Sequence, residues 1–259
     1  MNDGAIQTIL GGCIMGKGTL KQILLLTDGC SNQGEDPIAI AALAKEQGIT
    51  VNVIGVVEDS QMSQHGIDEV EAIALAGGGV SQVVYAKQLA KTVQMVTRQA
   101  MTQTLHGVIN KELKHILGKN QEMEDLSPEK RGEVMEVVDE LGETIDLEVL
   151  ILVDTSASMR NKLPMVQEAI TDLSISLTSR MGDNRFCLFS FPGKKKEIDR
   201  LLDWTPKLES LHGIFHKLSL GGITPTGPAL QSALKHFAKN SSRRSLISRD
   251  DELFEESGM

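Results

Sequence analysis

Aromatic residues are scarce in this chain: one Trp, one Tyr and six Phe among 259 residues, 3% in all. A core built here is therefore expected to be aliphatic, made of Leu, Ile, Val, Ala and Met. Cysteine is scarce as well. Cys13, Cys30 and Cys187 are an odd number with no Cys-x-x-Cys spacing, which argues against a disulfide framework and for a reducing compartment. There is no basic excess: the formal charge is −9. Phosphate binding needs a basic face, so nucleic acid is excluded as the default partner. The one basic run, Lys194-Lys195-Lys196, follows Phe191-Pro192-Gly193 and reads as a solvated hairpin tip. No stretch approaches the ~18 apolar residues of a membrane span. Residues 1–18 lack a charged segment leading into an apolar one, so no signal peptide is expected. A soluble, cytoplasmic protein is the expectation.

What is present is 41% apolar and 24% charged residues, enough for one large domain with a full core. Residues 1–19 are Gly-rich and read as a flexible terminus. A continuous apolar run over Lys21–Thr27 reads as a strand buried on both faces. Asp36-Pro37 then caps and opens a helix that stops at Gly48. Thr50–Val56 and Val80–Tyr85 read as strands, with a helix over Asp68–Ala76 between them. Ala86–Leu117 reads as one long helix, with Gly107 the place where it can bend or break. After a polar connector, Ser127-Pro128 starts a helix with the stripe Val134, Val137, Val138 and Leu141, ended by Gly142. Glu148–Val153 is the next strand and Pro164–Leu177 the next helix. Phe186–Phe191 and Glu197–Trp204 read as an antiparallel hairpin, Leu208–Leu218 and Pro228–Lys239 as helices, and 241–259 as a disordered tail. Strands alternating with helices mean an α/β fold: a mostly parallel sheet with one antiparallel edge strand and helices on both faces. Ligands of such folds bind at the carboxyl ends of the strands, where the strand order reverses.

Two strand ends carry the chemistry. Asp154-Thr155-Ser156-Ala157-Ser158 leaves the strand Glu148–Val153, and Thr27-Asp28-Gly29 leaves the strand Lys21–Thr27. Asp154, Ser156 and Ser158 alternate, so three oxygen donors can point one way. Together with Asp28 and with Thr224 in Gly221-Gly222-Ile223-Thr224-Pro225-Thr226-Gly227, they form a set of hard oxygen ligands. Such a set suits Mg²⁺, or Mn²⁺ or Ca²⁺, and is poor for Zn²⁺. Hydroxyls bring no charge, so the cation keeps affinity for an outside anion such as an Asp or Glu carboxylate.

These three elements resemble the metal-ion-dependent adhesion site of von Willebrand factor A domains, over residues 20–117 and 147–240. The resemblance implies a Rossmann-like sandwich with a divalent ion at its top face. It implies direct coordination by Ser156, Ser158 and Thr224, with Asp154 and Asp28 close by or bridged by water. Thr226, in the same loop, is the alternative to Thr224. The order along the chain departs from the family, in which the Asp-x-Ser-x-Ser strand comes first and the Thr-Asp-Gly strand last. Here 20–117 carries the usual second half, 118–146 is a linker with its own helix, and 147–240 carries the usual first half. Two closures are open: a circularly permuted monomer, or a homodimer exchanging halves. The chain is similar to proteins of Bacillus-like spore-forming bacteria that share this inverted arrangement. The function implied is a non-enzymatic, metal-dependent protein-binding module. The alternatives are an adaptor for a chelatase-type AAA+ ATPase and a metal-dependent phosphate hydrolase.

Other signals are weaker. Gly11-x-x-x-x-Gly16-Lys17 lacks the Ser or Thr, and the helix, of a phosphate loop. His212 and His216 lie four apart but have no further ligand at zinc spacing. Cys30, two residues beyond Asp28, has no base nearby in sequence and reads as a spectator thiol.

Overall fold

A computed structural model gives the structure of residues 18–58, 62–117, 123–208, 212–215, 218 and 221–240. Residues 1–17 of the terminus read from sequence over 1–19, the tail expected over 241–259, Lys17 of the phosphate-loop-like segment and His216 lie outside these residues; Thr19 already belongs to the first strand. Among the described residues, no helix is long and apolar enough to cross a membrane.

Six strands form one sheet: β1 (Thr19–Thr27), β2 (Ile49–Val57), β3 (Gly78–Tyr85), β4 (Asp146–Asp154), β5 (Asn184–Phe191) and β6 (Asp199–Thr205), in the order β3-β2-β1-β4-β5-β6. All neighbours are parallel except β5 and β6, which are antiparallel. From β1 the chain steps outward to β3; from β4 it steps outward the other way. The reversal therefore falls between β1 and β4, whose carboxyl ends carry Asp28 and Asp154. This is the position at which open α/β sheets form a ligand crevice.

The apolar runs of β1, β2 and β4 are buried throughout their length because helices cover both faces. On one face lie α1 (Pro37–Glu46), α2 (Gln64–Ala76) and α7 (226–240). On the other lie α3 (Leu89–Leu117), α4 (Pro128–Thr144), α5 (Leu163–Leu177) and the single turn α6 (His212–Phe215). Each face has its own apolar cluster. Leu, Ile, Val and Ala dominate both. Among the described residues five phenylalanines are buried, Phe186, Phe189, Phe191, Phe215 and Phe237, while Trp204 is half-buried and Tyr85 exposed.

Helix α1 is punctuated as the sequence suggests. Asp36 accepts the Ile38 N–H at 2.9 Å, and Gly48 follows the C-cap at φ +71°. Elsewhere packing overrides local preference. Helix α2 starts at Gln64, about a turn before Asp68, because the Ser63 hydroxyl caps it through the Gly66 N–H. Helix α3 runs unbroken through Gly107, held by buried Leu105, Ile109 and Leu113. Gly142 lies inside α4 rather than ending it, since Leu141 is buried and its carbonyl still accepts the Ile145 N–H. Ser127 occupies the α4 N-cap position without a side-chain bond. Of the helix expected over Leu208–Leu218, the described residues are Leu208, His212–Phe215 and Leu218, and His212–Phe215 form α6. The Lys194–Lys196 tip is exposed as expected. Helix α4 is more than a tether: Val134, Val138 and Leu141 are buried in the cluster beneath α3 and α5.

Candidate metal centre

Strands β1 and β4 lie side by side with Leu26 opposite Val153, so the residues that follow emerge together. A continuous run of hydrogen bonds then links the two strand ends. Thr27 Oγ1 donates to Asp154 Oδ2 at 2.8 Å, and Asp154 Oδ1 accepts the Ser156 N–H at 2.7 Å. The Ser156 and Ser158 hydroxyls lie 3.1 Å apart, and Ser158 Oγ donates to Asp28 Oδ1 at 2.9 Å. Lys162 closes the run: its ammonium pairs with Asp28 Oδ2 and donates to the Ser158 carbonyl at 3.3 Å. Asp28 and Ser158, 130 residues apart, thus meet within one chain.

The alternation of Asp154, Ser156 and Ser158 survives because the loop is held from beneath. Met159 is fully buried in the 3₁₀ turn Ala157–Met159. Its N–H bonds the Ser156 carbonyl, and the Thr155 N–H bonds the Phe191 carbonyl at 2.7 Å. The Thr224 loop is tied to both halves. Gly221 bridges Ser156 and donates to the Thr155 carbonyl. On the other side Asn32 makes a reciprocal pair with Thr224: Asn32 N–H to Thr224 O at 3.2 Å, and Thr224 N–H to Asn32 Oδ1 at 2.9 Å. Asp28, Asp154, Ser156 and Ser158 are joined directly through their side chains. Thr224 is joined to them through its loop's backbone. Thr226 is the first residue of α7 rather than a loop residue.

Two features test whether these groups fit a cation. The first is Thr226 Oγ1, which is buried without a hydrogen-bond partner. The second is Asp154, fully buried, whose carboxyl burial pushes up to about 6 against the hydrogen bonds that favour its charge. A buried carboxylate among hard oxygens fits Mg²⁺ or a similar ion, and the orphaned hydroxyl of Thr226, whose N–H bonds the Thr224 carbonyl at 3.0 Å, keeps Thr226 the alternative to Thr224 as a ligand. Ser158 is exposed, so the cluster opens to solvent.

The raised Asp154 value has a consequence in chelator. The native state holds this proton more tightly than the unfolded chain does. The contribution is present below the ordinary carboxylate range and is lost as pH rises through about 6. Two pK units correspond to about 3 kcal/mol. Metal-free protein is therefore expected to lose stability relative to Asp154→Asn between about pH 4 and pH 7.5. Urea midpoints of the two proteins across that range check it.

Sequence reading missed Lys162 and Asn32. Lys162 stands four residues after Ser158, a helical turn along, and that spacing was the available signal. Asn32 acts across the fold and left none.

Comparison with known proteins agrees with this architecture. The chain matches the von Willebrand factor type A domain family over residues 149–248 and again over residues 15–99. It is 66% identical over 245 residues to "Uncharacterized protein YabS" of Bacillus subtilis, covering 95% of this chain and 100% of that one. A crystal structure of an uncharacterized protein from Alicyclobacillus acidocaldarius superposes with a TM-score of 0.81 at 37% identity. The match covers 91% of this chain and 99% of that one.

Proposed function

Because the chain belongs to the von Willebrand factor type A domain family, we propose that it is a metal-ion-dependent protein-binding module rather than an enzyme. The observation that carries this reading is the hydrogen-bonded run from Thr27 through Asp154, Ser156 and Ser158 to Asp28 and Lys162. Asp154, Ser156, Ser158, Asp28 and Thr224 would hold the ion, with Mg²⁺ the first choice and Mn²⁺ or Ca²⁺ the alternatives. A divalent ion held there supplies an electrophilic position for an Asp or Glu carboxylate of a partner protein. Charge supports the reading. Two carboxylates and the Lys162 ammonium sum to one negative charge, which leaves a divalent ion under-neutralised. The hydroxyls of Ser156 and Ser158 orient donors without adding charge. Specificity falls to the loops Gly29–Glu35, Thr155–Leu163 and Ile223–Gly227. Ile223, 44% exposed beside Thr224, offers a partner an apolar contact.

The order of the two halves is read as a circular permutation. Support comes from two separate family matches, one on each side of 118–146, and from a single sheet in which β1 of one half pairs with β4 of the other. The free thiols of Cys30 and Cys187 support a cytoplasmic setting.

Immobilised chain is expected to capture proteins from a Bacillus extract in Mg²⁺ and to release them in chelator. Asp154→Ala should lose the same set. Capture indifferent to both changes contradicts the reading. A captured AAA+ ATPase whose turnover responds to the chain would make it an adaptor. Phosphate-ester hydrolysis that requires Asp154 would make it an enzyme.

A further inference from the structure

The loop that carries Asp28 also takes part in a second cluster of quite different chemistry. Cys30 lies against helix α2, where His65 and Glu69 stand four residues apart and so share one helix face. One ligand atom from each of the three lies within 4.8 Å of the others. The premise of the spectator-thiol reading, no base near Cys30, holds only in the sequence: an imidazole and a carboxylate come to it across the fold. Glu69 is also oriented: its Oε1 accepts the Ser31 N–H at 2.7 Å, from the residue next to Cys30. Cys30 and Glu69 are half-buried and His65 is exposed, so one side faces solvent.

Thiolate, imidazole and carboxylate together are the donor set of a borderline ion such as Zn²⁺, not of Mg²⁺. We propose that Cys30, His65 and Glu69 bind a transition-metal ion of the Zn²⁺ class, three protein ligands leaving a position for water, at a site separate from the oxygen cluster of Asp28 and Asp154. The two clusters share the segment from Asp28 to Asn32. Metal binding by Cys30 pins the middle of that segment to α2. Asp28 begins it, and Asn32 ends it in the reciprocal pair with Thr224. The soft site thereby fixes the placement of the hard one.

Reduced full-length chain in excess Mg²⁺ is titrated with Co²⁺, a spectroscopic substitute for Zn²⁺. The expected result is one Co²⁺ per chain, with thiolate-to-cobalt charge-transfer absorption that Zn²⁺ abolishes. Cys30→Ser should remove the band. His65→Ala should weaken binding at least about tenfold. Asp154→Ala should leave the band and the one-to-one stoichiometry in place, which separates this site from the proposed function. Urea midpoints in chelator confirm that each variant folds. The proposal is overturned by absence of the band. It is equally overturned by Co²⁺ binding that needs Asp154 but not Cys30, which places the ion in the oxygen cluster. A band that survives Cys30→Ser and vanishes in Cys187→Ser overturns it too, placing the ion at Cys187, Asp203 and His236.

Discussion

Asp28→Ala is expected to abolish Mn²⁺ binding at the oxygen cluster and to destabilise the fold by about 3 kcal/mol. The two losses have different origins. Binding fails because Asp28 supplies one of the cluster's two carboxylates. Stability falls because the Lys162 side chain, only 10% exposed, loses the carboxylate it pairs with, and Ser158 Oγ loses its acceptor. A buried charge left unpaired costs more than the intact pair contributes, so removing both partners should recover most of the loss. Asp28→Ala combined with Lys162→Met is therefore expected to return to within about 1 kcal/mol of the parent while still binding no ion. Urea denaturation and Mn²⁺ titration read the two effects separately. A single variant as stable as the parent would show that the ammonium is not held by Asp28.

Gly227→Ala should be nearly as damaging from outside the cluster. A Cβ there would lie 1.8 Å from the Glu35 carbonyl oxygen and 2.7 Å from its carbon. Both obstacles are backbone, so no rotamer change relieves them, and the Asp28 and Thr224 loops must separate. Overpacking of this kind costs about 3 kcal/mol. Because Asn32 and Thr224 depend on the same closeness, divalent-ion affinity should fall with it. Gly222→Ala, where nothing lies within 4 Å, is the matched control and should leave stability and affinity near the parent values.

The sheet was largely legible from sequence because its central strands are continuous apolar runs bounded by glycine and carboxylate. Two strands buried on both faces, β1 and β4, leave few other readings. The grouping of Asp154, Ser156 and Ser158 was legible because they are neighbours in sequence. What was hidden acts over distance. Asn32 joins the cluster across the fold with no local pattern to mark it, Lys162 only through its spacing from Ser158, and His65 meets Cys30 only once α2 is packed. Helix ends were misread where burial outweighed a glycine's preference, as at Gly142, or where a serine cap went unweighed, as at Ser63. Thr226 looked like a loop residue because Pro225 and Gly227 flank it; it opens α7 instead.

Mn²⁺ titration of the parent, of Asp28→Ala, of Asp154→Ala, and of the two variants unfolded and refolded together tests the central claim most directly. If one chain closes the site on itself, the parent binds one ion per chain, each variant binds none, and the mixture also binds none. Each mutated chain then lacks one carboxylate, and no partner chain can supply it. Binding retained by either variant, or recovered in the mixture, would contradict the account. The first would move the ion elsewhere; the second would mean that the Asp28 and Asp154 ends come from different chains.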